Sequence, residues 1–311
     1  MRYRALGKTG LDLSVIGFGG APLGNEFGGI DVAEADRAVH FAIERGITFF
    51  DTAPFYGRTL SEKRMGDALL GKRQQVVLSS KCGRYDTADF DFSAARVKTS
   101  VDESLQRLRT DHLDLLIAHD IEFGDREQIV HETVPAMREL QSAGKVRAVG
   151  ISGLPLKVLA DVAVRAKVDF VLSYCRYNPL IQDMDVYLTP VLEKNGIGLL
   201  NAAPVHLRLL TREGALAKHP APEVVKQAGA AIVQACLRHG FDPAIVALQF
   251  CLRHKYAAST CVGISNAREV EQNLTALDAE IPADLLAEIA EIAEPVKTTT
   301  WQSGRPENQD A

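Results

Sequence analysis

The chain contains no Cys-x-x-Cys pair. Its five cysteines, Cys82, Cys175, Cys236, Cys251 and Cys261, are scattered and odd in number. That pattern argues against a zinc site or a disulfide framework and for free thiols in a reducing compartment. No histidine follows His131-Glu132 at metalloprotease spacing, so the sequence gives metal catalysis no support. No apolar run reaches the ~18 residues of a membrane span. The opening stretch MRYRALGKTGLDLS has no apolar core of the secretory kind. No basic block interrupts a net charge of −5, which excludes an obvious nucleic-acid or anionic-membrane surface. A cytoplasmic protein acting on a small molecule is the expectation. GFGGAPLG (17–24) is not a dinucleotide fingerprint either, because Pro22 takes the place of the third glycine. No Gly/Ser linker divides the chain, so one domain over 1–311 is expected.

What is present is an alternation. With 46% hydrophobic and 24% charged residues the composition is that of an ordinary globular protein. Apolar runs at 15–20, 47–52, 76–81, 113–119, 146–152, 169–175, 196–203 and 259–265 read as strands. Helical patterns follow them at 33–45, from about 61, at 93–108 with Ser93 as N-cap, and at 126–142, 155–166 and 185–194. A longer stretch after the seventh strand breaks near Gly240 and Pro243, and 267–277 follows the eighth. Eight such units imply parallel strands with right-handed crossovers, and hence an α/β fold: a closed (β/α)₈ TIM barrel. A doubly wound sheet is the alternative. Residues 3–14 read as an N-terminal β-hairpin turning at Lys8 to Gly10 and covering the barrel floor. A last helix near 283–293 leads to a polar C-terminal tail.

Active sites of such barrels lie at the C-terminal strand ends. Here those ends carry Gly19-Gly20, Asp51, Lys81, His119, Ser152, Tyr174, Ala203-Pro204 and Ser265-Asn266, and Tyr56 follows Asp51 by five residues. A phenol is inert at neutral pH, with a reference pKa of about 10. A nearby ammonium favours phenolate, so Lys81 is expected to bring Tyr56 below that value, with Asp51 holding Lys81 and His119 orienting a substrate oxygen. The constellation suits proton transfer beside an alcohol or carbonyl. A cofactor must then carry any redox step. In isolation Asp51 would read as a turn or N-cap residue, and His119 as a strand cap.

FFDTAPFYG, SSKCG and the strand ending in His119 resemble the aldo-keto reductases, nicotinamide-dependent barrel oxidoreductases with an Asp–Tyr–Lys–His tetrad. The resemblance covers the whole chain and implies catalytic roles for Asp51, Tyr56, Lys81 and His119. TLSEKRMGDAL, KCGRYDTADFDFSAARVKTSVDESLQRL, HDIEFG, GISGLPL and EPVKTTTWQSG resemble its L-galactose dehydrogenase branch, grouped with L-fucose, D-arabinose and D-threo-aldose dehydrogenases. That branch oxidises the anomeric carbon of a free sugar to an aldonolactone. Pyridoxal 4-dehydrogenase, a general aldehyde reductase and a non-catalytic nicotinamide-binding regulatory subunit are the alternatives.

The same resemblance implies cofactor contacts at Gly20, Ala21, Asp51, Ser152 and Tyr174 near the nicotinamide. It implies others at Pro204, Val205, Leu207, Gly263, Ser265, Glu269, Gln272 and Asn273 toward the pyrophosphate and adenosine. Substrate contacts are implied at Tyr56, His119, Asp120 and Trp301. Where NADP-dependent members carry arginine against the 2′-phosphate this chain has Glu269, so NAD is the expected cofactor. Other departures are Gly153 where asparagine is usual, Tyr174 for a strand glutamine, Ala202 for a stacking aromatic, and His206 and Arg208 where small residues are common.

Overall fold

The apolar runs become strands whose partners follow from their connections. A computed structural model describes residues 1–310. A hairpin of β1 (Tyr3–Ala5) and β2 (Asp12–Ser14) pairs antiparallel. The barrel strands are β3 (Ile16–Gly19), β4 (Phe49–Asp51), β5 (Val77–Cys82), β6 (Leu113–Ala118), β7 (Val146–Gly153), β8 (Phe170–Tyr174), β9 (Gly198–Ala202) and β10 (Ser259–Gly263). Each pairs parallel with the next, and β10 pairs with both β9 and β3, closing the ring. The doubly wound alternative is thereby excluded.

Helices pack outside with their apolar stripe inward. In Ala94–Leu108, Val97, Val101, Leu105 and Leu108 are buried at helical spacing, and the Ser93 hydroxyl caps the N-terminus by accepting from the Arg96 N–H. Two expected helices are broken. The 126–142 stretch contains a π-helical turn, Ile129–Thr133, before Val134–Ser142. The 185–194 stretch splits into Met184–Tyr187 and Thr189–Asn195. Each later helix carries a proline in its first turn, Pro135 or Pro190, which cannot donate back to the preceding turn and so interrupts the ladder.

The barrel floor is closed by the hairpin. Leu6, Leu11 and Leu13 pack beneath Phe49, Leu115, Phe170 and Leu200. Leu6 and Leu13 are fully buried, a burial of roughly 1.5–3 kcal/mol for each side chain.

At the other end the polar tail is tied down residue by residue. The Arg305 N–H donates to the Glu122 carbonyl at 2.9 Å, and the Asn308 amide donates to the carbonyls of Glu122 and Gly124. The Asp310 carboxylate accepts from the Leu156 and Lys157 N–H groups at 2.8 and 2.9 Å, capping helix Leu156–Arg165. It also pairs with the buried Arg176 at 3.0 Å.

Strand register decides which side chains meet at the mouth. Asp51 lies opposite Ser79, and Lys81 lies two residues beyond Ser79 opposite Ile117. His119 lies two residues beyond Ile117. Since strand side chains alternate with period two, Asp51, Ser79, Lys81, Ile117 and His119 share the inner face. Ser152 is opposite Leu172 and Tyr174 opposite Ala202, continuing the ring.

Candidate active site

Asp51 ends β4 and Lys81 lies near the end of β5, both almost wholly buried. The Lys81 ammonium donates to Asp51 Oδ2 at 2.6 Å and to the Thr52 carbonyl at 2.8 Å. The Ser79 hydroxyl holds the other carboxylate oxygen of Asp51. Burial works against the charge on Lys81, but Asp51 and Tyr56 more than offset it and hold its pKa above the ordinary lysine value. Leaving either charge without the other would be strongly destabilising.

Tyr56 is placed by a tight loop. Gly57, at φ +62°, is followed by Arg58 and Thr59, also left-handed. A Cβ on Gly57 would lie 2.2 Å from the Gly24 carbonyl oxygen, so this loop and the segment after β3 touch backbone to backbone. Helix Leu60–Ala68 then anchors the loop. The Ser61 hydroxyl donates to the Gly20 carbonyl, and buried Glu62 accepts from Ser80 and Arg107. The Lys81 ammonium lies 4.7 Å from the Tyr56 ring centroid. His119 follows β6 directly, its N–H donating to the Cys82 carbonyl, and its ring stands edge-on to Tyr56 at 5.7 Å.

The expected acidification of Tyr56 is not what the structure gives. Burial pushes the phenol up and Asp51 adds to it. Lys81 pulls in the expected direction but loses, so the pKa stands above the free-tyrosine value. Tyr56 keeps part of its surface open to the cleft, and water there tempers the push. His119 is driven well below its usual value by burial and then by the Lys81 and Arg84 charges, so its imidazole is neutral. Its buried Nδ1 has no partner.

The tetrad opens onto a cleft of about 1410 Å³, more than a drug-sized ligand needs and enough for a dinucleotide beside a small substrate. Ala21, Asp51, Ser152, Tyr174, Pro204, Val205, Leu207, Gly263, Ser265, Glu269, Gln272 and Asn273 all line it, as do Asp120 and Trp301. Gly20 does not. Its N–H donates to the Asp51 carbonyl at 2.7 Å and it sits behind the wall that Gly19 and Ala21 form. Trp301 stands edge-on to His206 and His219, at 5.6 and 6.1 Å between ring centroids.

At the far end of the cleft, Asn266 caps helix Ala267–Thr275, and the Glu269 carboxylate accepts from the Ser265 N–H at 2.6 Å and from the Ser265 hydroxyl. Arg84, which sequence reasoning passed over, lines the cleft and pairs with Asp120. The available signal was a cation three residues past Lys81 in KCGR, too weak to use without knowing its partner.

All five cysteines are buried and unpaired, and no group of metal-ligating side chains gathers among the described residues. No helix of the described residues is long and apolar enough to cross a membrane.

Comparison with known proteins agrees with this geometry. The aldo/keto reductase family model matches residues 15–294. L-galactose dehydrogenase of Arabidopsis thaliana is 43% identical over 99% of both chains. D-threo-aldose 1-dehydrogenase of a Pseudomonas species is 30% identical over 92% of this chain and 96% of its own. A solved aldo-keto reductase from Bacillus halodurans, in its holo form, superposes with a TM-score of 0.79 at 27% identity over 99% of both chains. With family match, full-length relatives and barrel in agreement, the chain belongs to the aldo/keto reductase family of NAD(P)-dependent oxidoreductases.

Proposed function

We propose that the protein oxidises the anomeric carbon of a free aldose to the aldonolactone, using NAD. The observation that carries this reading is the cluster at the mouth: a phenol beside a fixed ammonium, a carboxylate behind it and a neutral imidazole edge-on to it. The sugar class is supported by the 43% identity with an L-galactose dehydrogenase along the full chain.

The cleft suits a nicotinamide dinucleotide. Ser152 and Tyr174 would meet the nicotinamide end, and the segment at Pro204, Val205 and Leu207 with Gly263 would meet the pyrophosphate. Ser265, Gln272 and Asn273 lie where the adenosine would end, at a helix N-terminus that favours anions. Bound nicotinamide supplies the hydride acceptor. In this scheme the phenolate form of Tyr56, stabilised by Lys81, receives the proton of the anomeric hydroxyl and becomes the phenol, while Asp51 keeps Lys81 in place. Neutral His119 offers one ring nitrogen to the same oxygen, as donor or acceptor according to its tautomer, and so orients it.

Preference for NAD rests on Glu269. Its carboxylate already takes the Ser265 N–H and hydroxyl, donors that a 2′-phosphate would need, and it would repel that phosphate. The test is reduction of NAD and of NADP on addition of L-galactose, L-fucose, D-arabinose or pyridoxal. Turnover of a sugar with NAD supports the reading. Turnover of pyridoxal alone, or of none, refutes it.

A further inference from the structure

Arg84 lies on the loop that leaves β5, and its surroundings are unusual for a surface-loop cation. Its guanidinium is 3.8 Å from the ring centroid of Phe55, and 5.3 and 5.5 Å from those of Phe90 and Phe123. It donates to the Asp120 carboxylate, and the two side chains are only 17% and 5% exposed. Arg84 Nε is buried without a partner. Asp120 is held in the left-handed region at φ +53°, its N–H donating to the Ser152 hydroxyl at 3.3 Å. Both residues line the cleft beside Tyr56 and His119.

Stability does not account for this arrangement. A desolvated ion pair contributes little net stabilisation over apolar residues of the same size, and a left-handed non-glycine backbone adds strain. The aromatic box does one thing well: it fixes the plane of the guanidinium fork, and with it the carboxylate the fork grips. The charges at the substrate end also cancel. Asp51 balances Lys81, Asp120 balances Arg84, and His119 is neutral. The wall there presents directed donors and acceptors with no net charge.

We propose that Arg84 and Asp120 form a charge-cancelled recognition pair that reads neighbouring hydroxyls of an uncharged sugar and turns away sugars bearing a carboxylate or phosphate. Asp120 accepts from hydroxyl groups and Arg84 donates to them. An anionic substituent meets the Asp120 charge, which already grips one terminal nitrogen of the Arg84 fork. This rests on the aldose reading given above. It adds that Asp120 confers the preference for a neutral substrate, and that its removal uncovers an anion site.

The test compares kcat and KM for L-galactose and for its C6-carboxylate counterpart, L-galacturonate, with NAD, in wild type, Asp120→Asn and Arg84→Met. NADH binding serves as the control for an intact fold and cofactor site. Wild type should prefer the neutral sugar by at least about tenfold. Asp120→Asn should lose about 10–100-fold on L-galactose, chiefly through KM, and raise the galacturonate-to-galactose ratio by about tenfold or more. Arg84→Met should weaken L-galactose without raising that ratio. Equal use of both sugars by wild type overturns the proposal without any variant. So does an Asp120→Asn enzyme that binds NADH normally at an unchanged ratio. Should wild type oxidise no sugar, the reading of the reaction fails. The pair is then judged by dissociation constants of the two sugars in the NADH complex, where the same crossover supports it and its absence overturns it.

Discussion

At Tyr56 burial and the Lys81 ammonium pull the phenol in opposite directions, and burial prevails. The side chain is therefore protonated at neutral pH. Reduction, which needs the phenol as acid, should be fully present at neutral pH and fall only as pH passes the raised pKa. Oxidation, which needs the phenolate, should keep climbing with pH and show no plateau below about 10. Removing the cation in Lys81→Met should push the oxidation limb higher still. A kcat/KM profile with a plateau near pH 8 would assign the titration to another group. Because that variant leaves Asp51 buried without its cation, a loss of roughly 3–5 kcal/mol is expected, and its melting curve must be recorded alongside. Tyr56→Phe should retain cofactor binding and lose ~10²–10⁴-fold in kcat. Retention of more than about a tenth of kcat would remove tyrosine from the central role. The four residues were legible because each closes or follows a strand, so chain order alone placed them at one mouth. Arg84 was not legible, because what marks it is an aromatic box assembled from Phe55, Phe90 and Phe123, far apart in sequence. The sign of the Tyr56 shift was also hidden, since it depends on how deeply the ring is buried.

Among the elements, the loop after β6, the end of β7 and the tail meet at Glu122. Its Oε1 accepts from the Ser303 hydroxyl at 2.9 Å and the Leu154 N–H at 3.2 Å, while Oε2 has no partner. A Cβ on Gly153 would lie 2.4 Å from Oε2, so glycine at this position gives the carboxyl end its room, and a larger residue would make it shift. Burial, and then the nearby Asp120, push Glu122 up to about 8. A carboxyl whose folded pKa is raised binds its proton more tightly when folded. It therefore contributes stability below about 4.5 that is lost as pH rises through about 8. Tm should fall across that window, and Glu122→Gln, neutral throughout, should flatten this part of the slope. An unchanged slope would show that Glu122 titrates normally. At the N-terminus of Ala267–Thr275, Glu269→Arg frees the Ser265 donors and adds a guanidinium. The kcat/KM ratio of NADP to NAD should rise about tenfold or more. An unchanged ratio would mean that Glu269 does not face the ribose. The alternation of strands and helices was readable from hydrophobic period, because every unit repeats the same burial problem. The π-turn at Ile129–Thr133 and the break at Leu188 were not, because a proline in an amphipathic run can start a helix as well as interrupt one. The docking of the tail was equally hidden, since Asp310 reads as a solvated residue until helix Leu156–Arg165 is seen beneath it.

For the whole molecule, closure of the ring and the plug of Leu6, Leu11 and Leu13 leave the barrel sealed at one end. The plug was anticipated from the hairpin pattern. Its consequence concerns traffic. Ser152, Tyr174 and Cys261 line the inner wall of the cleft, and Trp301, carried by the tail, stands beside the loop after β9. A cul-de-sac of this shape loads in sequence: what lies deepest enters first and departs last. The dinucleotide should bind before the sugar and leave after the lactone. Steady-state product inhibition should then show NADH competitive with NAD and the lactone noncompetitive with it. An NADH pattern noncompetitive with NAD would show that the two do not bind the same free enzyme, and would overturn this order.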